Sequence, residues 1–235
     1  MKIDAERTAA LVHKATLGGI VTNCVLRFDE GTLRINSKDG VQVAVNAIMN
    51  GAFEPLVLPI KDSVMFVKTL KTFDGTPTLV VEGNTLVISE DAREARIVLA
   101  SEEFCDGELK NELPFLSKYD GEFPVSKSMT DRTLHNMDVV KSEEIGVSVK
   151  DGVLNMTTGD SKFDRLTERA SVHYKNAASV YGAPLVETLK VVDDSLRFSL
   201  NDNFPLRVVE TGENYSVHYY VAPIVREEKP DDARK

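Results

Sequence analysis

The side chains that commonly do chemistry are sparse here and stand apart from one another. Cys24 and Cys105 have no metal-ligand spacing and no paired framework, so they read as free thiols of a reducing compartment. There is no glycine-rich phosphate loop, no histidine paired with a nucleophile and no spaced Cys/His cluster. The aspartates and glutamates are scattered as on a solvated surface, and His135 reads as a surface histidine. The expectation is a protein that is not an enzyme, with no metal and no cofactor. What remains is basic chemistry, the holding of phosphates by lysine and arginine. A net charge of −9 argues against that use unless the cations are segregated onto one face.

They are segregated. Helical periodicity is confined to four windows, 5–17, 60–73, 126–141 and 182–192. Those windows hold nine Lys/Arg (Arg7, Lys14, Lys61, Lys68, Lys71, Lys127, Arg132, Lys141, Lys190) against five acids, a balance of +4 that leaves −13 on the rest. On the second helix Ser63, Phe66, Val67, Leu70 and Phe73 share the packing side, with Lys61 and Lys68 opposite and Lys71 on the flank. Arg7 and Lys14 lie two turns apart and project from one side of the first helix. On the third, Met129, Thr133, Met137 and Val140 form the buried stripe, and Arg132 and His135 point away from it. The fourth turns Leu185, Val186 and Leu189 inward and Lys190 out. Any solvated helix can carry lysines on its outer face, so the charge split takes its meaning from the rest of the chain.

Everything else reads as short strands and turns, such as 20–28, Asp29-Glu30-Gly31 and 32–36, with further turns at Asp39-Gly40, Glu82-Gly83-Asn84 and Asp151-Gly152. The order helix, hairpin, strand, helix, hairpin-like strands runs through 1–103 and again through 124–225. The predicted class is α+β: two similar domains, each with two helices packed on antiparallel sheets. A connector spans 104–123 and a charged, fraying tail spans 226–235. No apolar run reaches the roughly 18 residues that cross a bilayer, and Lys2, Asp4, Glu6 and Arg7 leave no signal-peptide core. A cytoplasmic protein is expected.

The stretch Asn203-Phe204-Pro205-Leu206-Arg207-Val208-Val209-Glu210, followed by Tyr219-Tyr220-Val221-Ala222-Pro223-Ile224, resembles the end of the proliferating-cell-nuclear-antigen family of sliding clamps. Gly159-Asp160 after Leu154-Asn155-Met156 is similar to that family's second-domain turn, and Leu113-Pro114 to its connector. The opening Met1-Lys2-Ile3, with 8–15 and Gly18-Gly19-Ile20, resembles phage clamps of the same fold. Ile35-Asn36-Ser37-Lys38-Asp39-Gly40 replaces the family's first-domain turn and Ile224 its basic residue, which points to a divergent member, archaeal or viral.

The resemblance implies a DNA clamp fold assembling as a homotrimeric ring, helices inward, that encircles double-stranded DNA without reading its sequence. Such a ring is a DNA polymerase processivity factor for replication and repair, in the cytoplasm of an archaeal or virus-infected cell, or in the nucleus if eukaryotic. It would be bound by a polymerase, a clamp loader and other proteins with clamp-binding peptides. DNA would be held by Arg7, Lys14, Lys61, Lys68, Lys71, Lys127, Arg132 and Lys190. Peptides would dock against Val41, Leu113, Pro114, Phe204, Pro205, Tyr220, Ala222, Pro223 and Ile224. Residues 94–101 would pair with 163–167 of a neighbouring copy. The alternative is a clamp-related checkpoint or inhibitory subunit that binds partners without encircling DNA.

Overall fold

The structure, a computed structural model, describes residues 1–40, 42–101, 118–159, 164–193 and 196–225. The sequence-predicted connector and tail fall largely outside these residues, as does Cys105.

All four helices form where periodicity places them: α1 (Ala5–Ala15), α2 (Ser63–Leu70), α3 (Lys127–Val140) and α4 (Ala183–Val191). Each start has a local cause. The Asp4 carboxylate accepts from the Arg7 amide at 2.9 Å, Asp62 from Met65 at 2.8 Å, and the Ser126 hydroxyl from Met129 at 3.2 Å. At α4, Pro184 stands in the first turn, where its missing amide hydrogen costs nothing. The third helix differs in detail from its wheel. Thr130 joins Met129, Thr133 and Met137 in the interior, while Val140 is only half-buried at the C-terminal end.

The strands are β1 (Cys24–Asp29), β2 (Thr32–Asp39), β3 (Val43–Asn50), β4 (Leu56–Ile60), β5 (Thr78–Glu82), β6 (Thr85–Glu90), β7 (Arg93–Val98), β8 (Phe123–Val125), β9 (Ile145–Lys150), β10 (Val153–Thr158), β11 (Leu166–Ser171), β12 (Ala177–Tyr181), β13 (Leu196–Ser199), β14 (Leu206–Thr211) and β15 (Tyr215–Val221). They form three antiparallel sheets, ordered β4-β1-β2-β3-β15-β14-β13-β8, β11-β10-β9-β12 and β5-β6-β7. An isolated bridge from Lys2 to Thr78 extends the last sheet, as β8 extends the strands of the second half.

The sequence repeat is a structural one, and its spacing is fixed by the registers. Adding 121 to Thr32↔Asn50 gives Val153↔Ser171, and adding 121 to Cys24↔Ile60 leads into the pairing that ends at Ile145↔Tyr181. The last hairpins shift by 122, since Ile97↔Leu86 becomes Tyr219↔Val208. The halves meet where β3 pairs antiparallel with β15, from Met49↔Tyr215 to Val43↔Val221. That junction makes the eight-stranded sheet.

Alternation along these strands puts Leu26, Leu33, Ile35, Val45, Val208, Val217 and Tyr219, each under 1 % exposed, on the side that the helices cover. The helices lie in one layer, with α1 against α2, α3 against α4, and α1 reaching α4. Ala9 and Ala15, small and fully buried, let α1 approach its neighbours closely.

Two of the strands that end their sheets among the described residues carry exposed apolar side chains. They are β7, with Val98 66 % exposed, and β11, with Leu166 at 36 %.

Candidate nucleic-acid interface and docking surface

On α2 the wheel holds: Phe66 and Leu70 are fully buried while Lys61, Lys68 and Lys71 are exposed. Arg7 is exposed on α1, loosely joined to Asp4 at 3.5 Å. His13 lies close enough to Lys71 and Lys14 to feel them. Burial first, then those two cations, holds its imidazole below the ordinary value. Elsewhere on the layer Lys190 pairs with Glu187 at 2.8 Å, and Lys127 with Asp131 one turn on. Such exposed pairs cost little to break, so both cations remain available to another anion.

Lys14 departs from its sequence-based role. Its side chain is only 10 % exposed, and its Nζ donates to Val191 O at 2.9 Å, Asp193 Oδ2 at 2.8 Å and Glu210 Oε1 at 2.8 Å. Glu210 is 1 % exposed; its Oε1 also accepts from the Tyr215 hydroxyl at 3.0 Å and the Asp193 amide at 3.1 Å. Burial opposes the charge on Lys14, but hydrogen bonds to Asp193 and Glu210 prevail and raise its pKa. All three ammonium protons are therefore engaged within the fold, and none is left for a phosphate. Lys14 is a strut between the two halves, which corrects its sequence-based placement on an open face of the first helix. The wheel gave its side of the helix correctly, but α4 and β14 of the other half close over that end of α1.

Arg132 is turned as well. Its Nε meets Glu168 Oε2 of β11 at 2.7 Å, and its Nη1 meets the Ser128 hydroxyl at 2.8 Å. The hydrogen bond from Arg132 holds the Glu168 carboxyl below its usual range, and Asn136 adds a second contact at 3.1 Å. The guanidinium is still half exposed, but it faces the sheet edge.

The docking residues converge as far as they are described. Leu206↔Val221 brings Phe204 and Pro205, just before β14, beside the segment from Tyr220 to Ile224 at the end of β15. The exit of β15 is pinned by Ala222 N to Gln42 O and Ile224 N to Val180 O, both 2.8 Å. Val41, Leu113 and Pro114 lie outside the described residues. Tyr119 and Tyr181 were not foreseen. The Tyr119 ring meets Phe204 edge-on at 5.5 Å and its hydroxyl donates to Pro205 O at 2.7 Å; the Tyr181 hydroxyl donates to Phe204 O at 3.0 Å. Burial raises both phenol pKa values, so both stay neutral donors. Only the topology sets these two tyrosines beside Phe204, and no sequence signal marks them.

No protein-family model matches this sequence, and no curated protein does. Solved structures do. The A. fulgidus PCNA, solved with the C-terminal region of FEN-1, superposes with a TM-score of 0.79 at 16 % identity, over 97 % of this chain and 98 % of that one. PCNA from Thermococcus kodakaraensis gives 0.75 at 17 %, over 95 % and 99 %. The fold is that of the sliding clamps. The DNA polymerase III beta subunit of Thermotoga maritima matches at 0.70 and 14 % identity, with 97 % of this chain covering 65 % of that one. At these identities the likeness lies in the repeated helix-and-sheet unit and in few shared residues.

Proposed function

We propose that this chain is a sliding clamp: three copies close into a ring, helices inward, that tethers DNA enzymes to a duplex and carries out no chemistry itself. The observation that carries the reading is the pair of open edges. Within the chain, β3 joins β15; β11 is the repeat of β3 and β7 the repeat of β15, and each is paired on one side only, with β10 and with β6. The same joint can therefore form head-to-tail between copies and covers both of these edges once the ring closes.

Helix spacing favours three copies. Twelve helices side by side at about 8–10 Å, each about 10–12 Å thick, enclose a hole of roughly 20–28 Å. Two copies would leave roughly 9–15 Å, less than the combined groove depths of B-form DNA at about 16 Å. Arg7, Lys61, Lys68, Lys71, Lys127 and Lys190 then face the phosphates, with Arg132 nearer the seam. Contacts of this kind hold a backbone without reading bases, as sliding requires. The surface around Phe204, Pro205, Tyr119 and Tyr220 to Ile224 supports docking of a partner's aromatic and aliphatic peptide, since buried aromatic anchors concentrate binding energy.

Native mass spectrometry tests the assembly. A chain of 26.0 kDa should be found chiefly at three times that mass, and Val98→Asp on the open edge should shift it to monomer. A monomer at every concentration up to tens of micromolar would count against the ring and favour a clamp-related subunit that does not encircle DNA.

A further inference from the structure

The duplication fixes more than the existence of a seam. Shifting Ile48↔Ser216 of the internal joint by the repeat spacings sets Arg169 of β11 opposite Glu94 of β7. The same operation on Val45↔Tyr219 sets Leu166 opposite Ile97, joining an exposed apolar side chain to the end of the core. The two joints differ in chemistry. Residues 43–49 and 215–221 contain no Asp, Glu, Lys or Arg, whereas seven of the fourteen residues at 93–99 and 164–170 are charged. The internal joint is also reinforced by the buried Lys14–Glu210 pair.

We infer that the seam between copies is an ionic latch, Glu94 of one copy against Arg169 of the next, which sets the register of closure. The inference rests on the ring reading above. In the separate chain Glu94 Oε1 is held by Arg96 Nε at 2.8 Å, and Arg96 also reaches Glu82 at 3.3 Å. When Glu94 turns to Arg169, Arg96 keeps Glu82 as partner, so closing strands no charge. The latch also rejects misregistry. A slip of one residue would turn the apolar contacts to the wrong face, and a slip of two would set Arg169 against Arg96 in one direction and leave it opposite Ala92, without a counter-charge, in the other. An exposed charge pair of this kind is a contact that added salt loosens.

The test is a charge swap followed by sedimentation velocity across concentration and salt. Glu94→Arg and Arg169→Glu should each weaken association by about tenfold per seam. The chain carrying both should recover most of the loss, and wild-type association should fall with added salt. Both sites are exposed, so circular dichroism should show all variants folded. If wild type forms rings and the single variants form them equally well, or the swap recovers nothing, the latch is wrong while the ring stands. If wild type stays monomeric throughout, the ring reading fails and the latch fails with it.

Discussion

Replacing Lys14 with methionine separates a structural lysine from a DNA-binding one. Methionine keeps the length and apolar stem of the side chain and removes the ammonium. Glu210, 1 % exposed, would then be left as a buried carboxylate without its cation, while Asp193, 74 % exposed on its side chain, would simply be solvated. Breaking a buried pair by removing one partner costs about 3–5 kcal/mol. For a chain of this size each kcal/mol moves the unfolding midpoint by about 2–4 °C, so a fall on the order of 10 °C is expected. Replacing both Lys14 and Glu210 by methionine removes the orphaned charge, and most of the loss should return. The linkage sign agrees with a strut. A lysine whose pKa is raised on folding contributes fully below its unfolded value, 10.5, and the contribution fades only as pH climbs through the higher folded value. The contribution of this lysine to wild-type stability should thus be flat from pH 6 to 9. Differential scanning calorimetry measures it, and retention on primed circular DNA, assayed well below the midpoint, should match wild type. A variant that melts like wild type but loses DNA would refute the argument and return Lys14 to the channel.

Three further outcomes follow from the same geometry. Changing Lys61, Lys68 and Lys71 together to alanine should leave folding and assembly intact, because Phe66 and Leu70 hold the opposite face of α2; polymerase product length per binding event should shorten, increasingly so as salt rises, and an unchanged length across the salt series would reduce these lysines to a solvated face. Pro223→Asp beside the pinned Ile224 should weaken a partner's C-terminal peptide by about 2 kcal/mol in a calorimetric titration, and equal affinities would remove this surface from consideration. Burial, then Arg207, lowers the pKa of His218, so below the ordinary value of 6.5 the unfolded chain takes up a proton that the folded one resists. Stability should therefore drop between pH 7 and 5, and His218→Gln should flatten part of that drop in a urea titration.

Much of this protein is written locally. Helix positions follow from apolar spacing and from the caps Asp4, Asp62 and Ser126, all within a few residues of what they specify. The duplication, the α+β class and the exposed lysines of α2 are legible for the same reason, since periodicity of 3.6 and of 2 needs no knowledge of what lies across the fold. What a side chain meets on the far side is a different kind of fact. Lys14 and Lys68 look alike on a helical wheel, but Glu210 lies 196 residues from Lys14 and only the β3–β15 joint brings it there. Arg132 likewise finds Glu168 across 36 residues, and Tyr119 finds Pro205 across 86. The sequence by itself determined which elements form and which of their faces are polar. The tertiary structure decided which polar groups are buried as partners of one another and which remain at the surface, because a charge taken out of water is stable only beside its counter-charge.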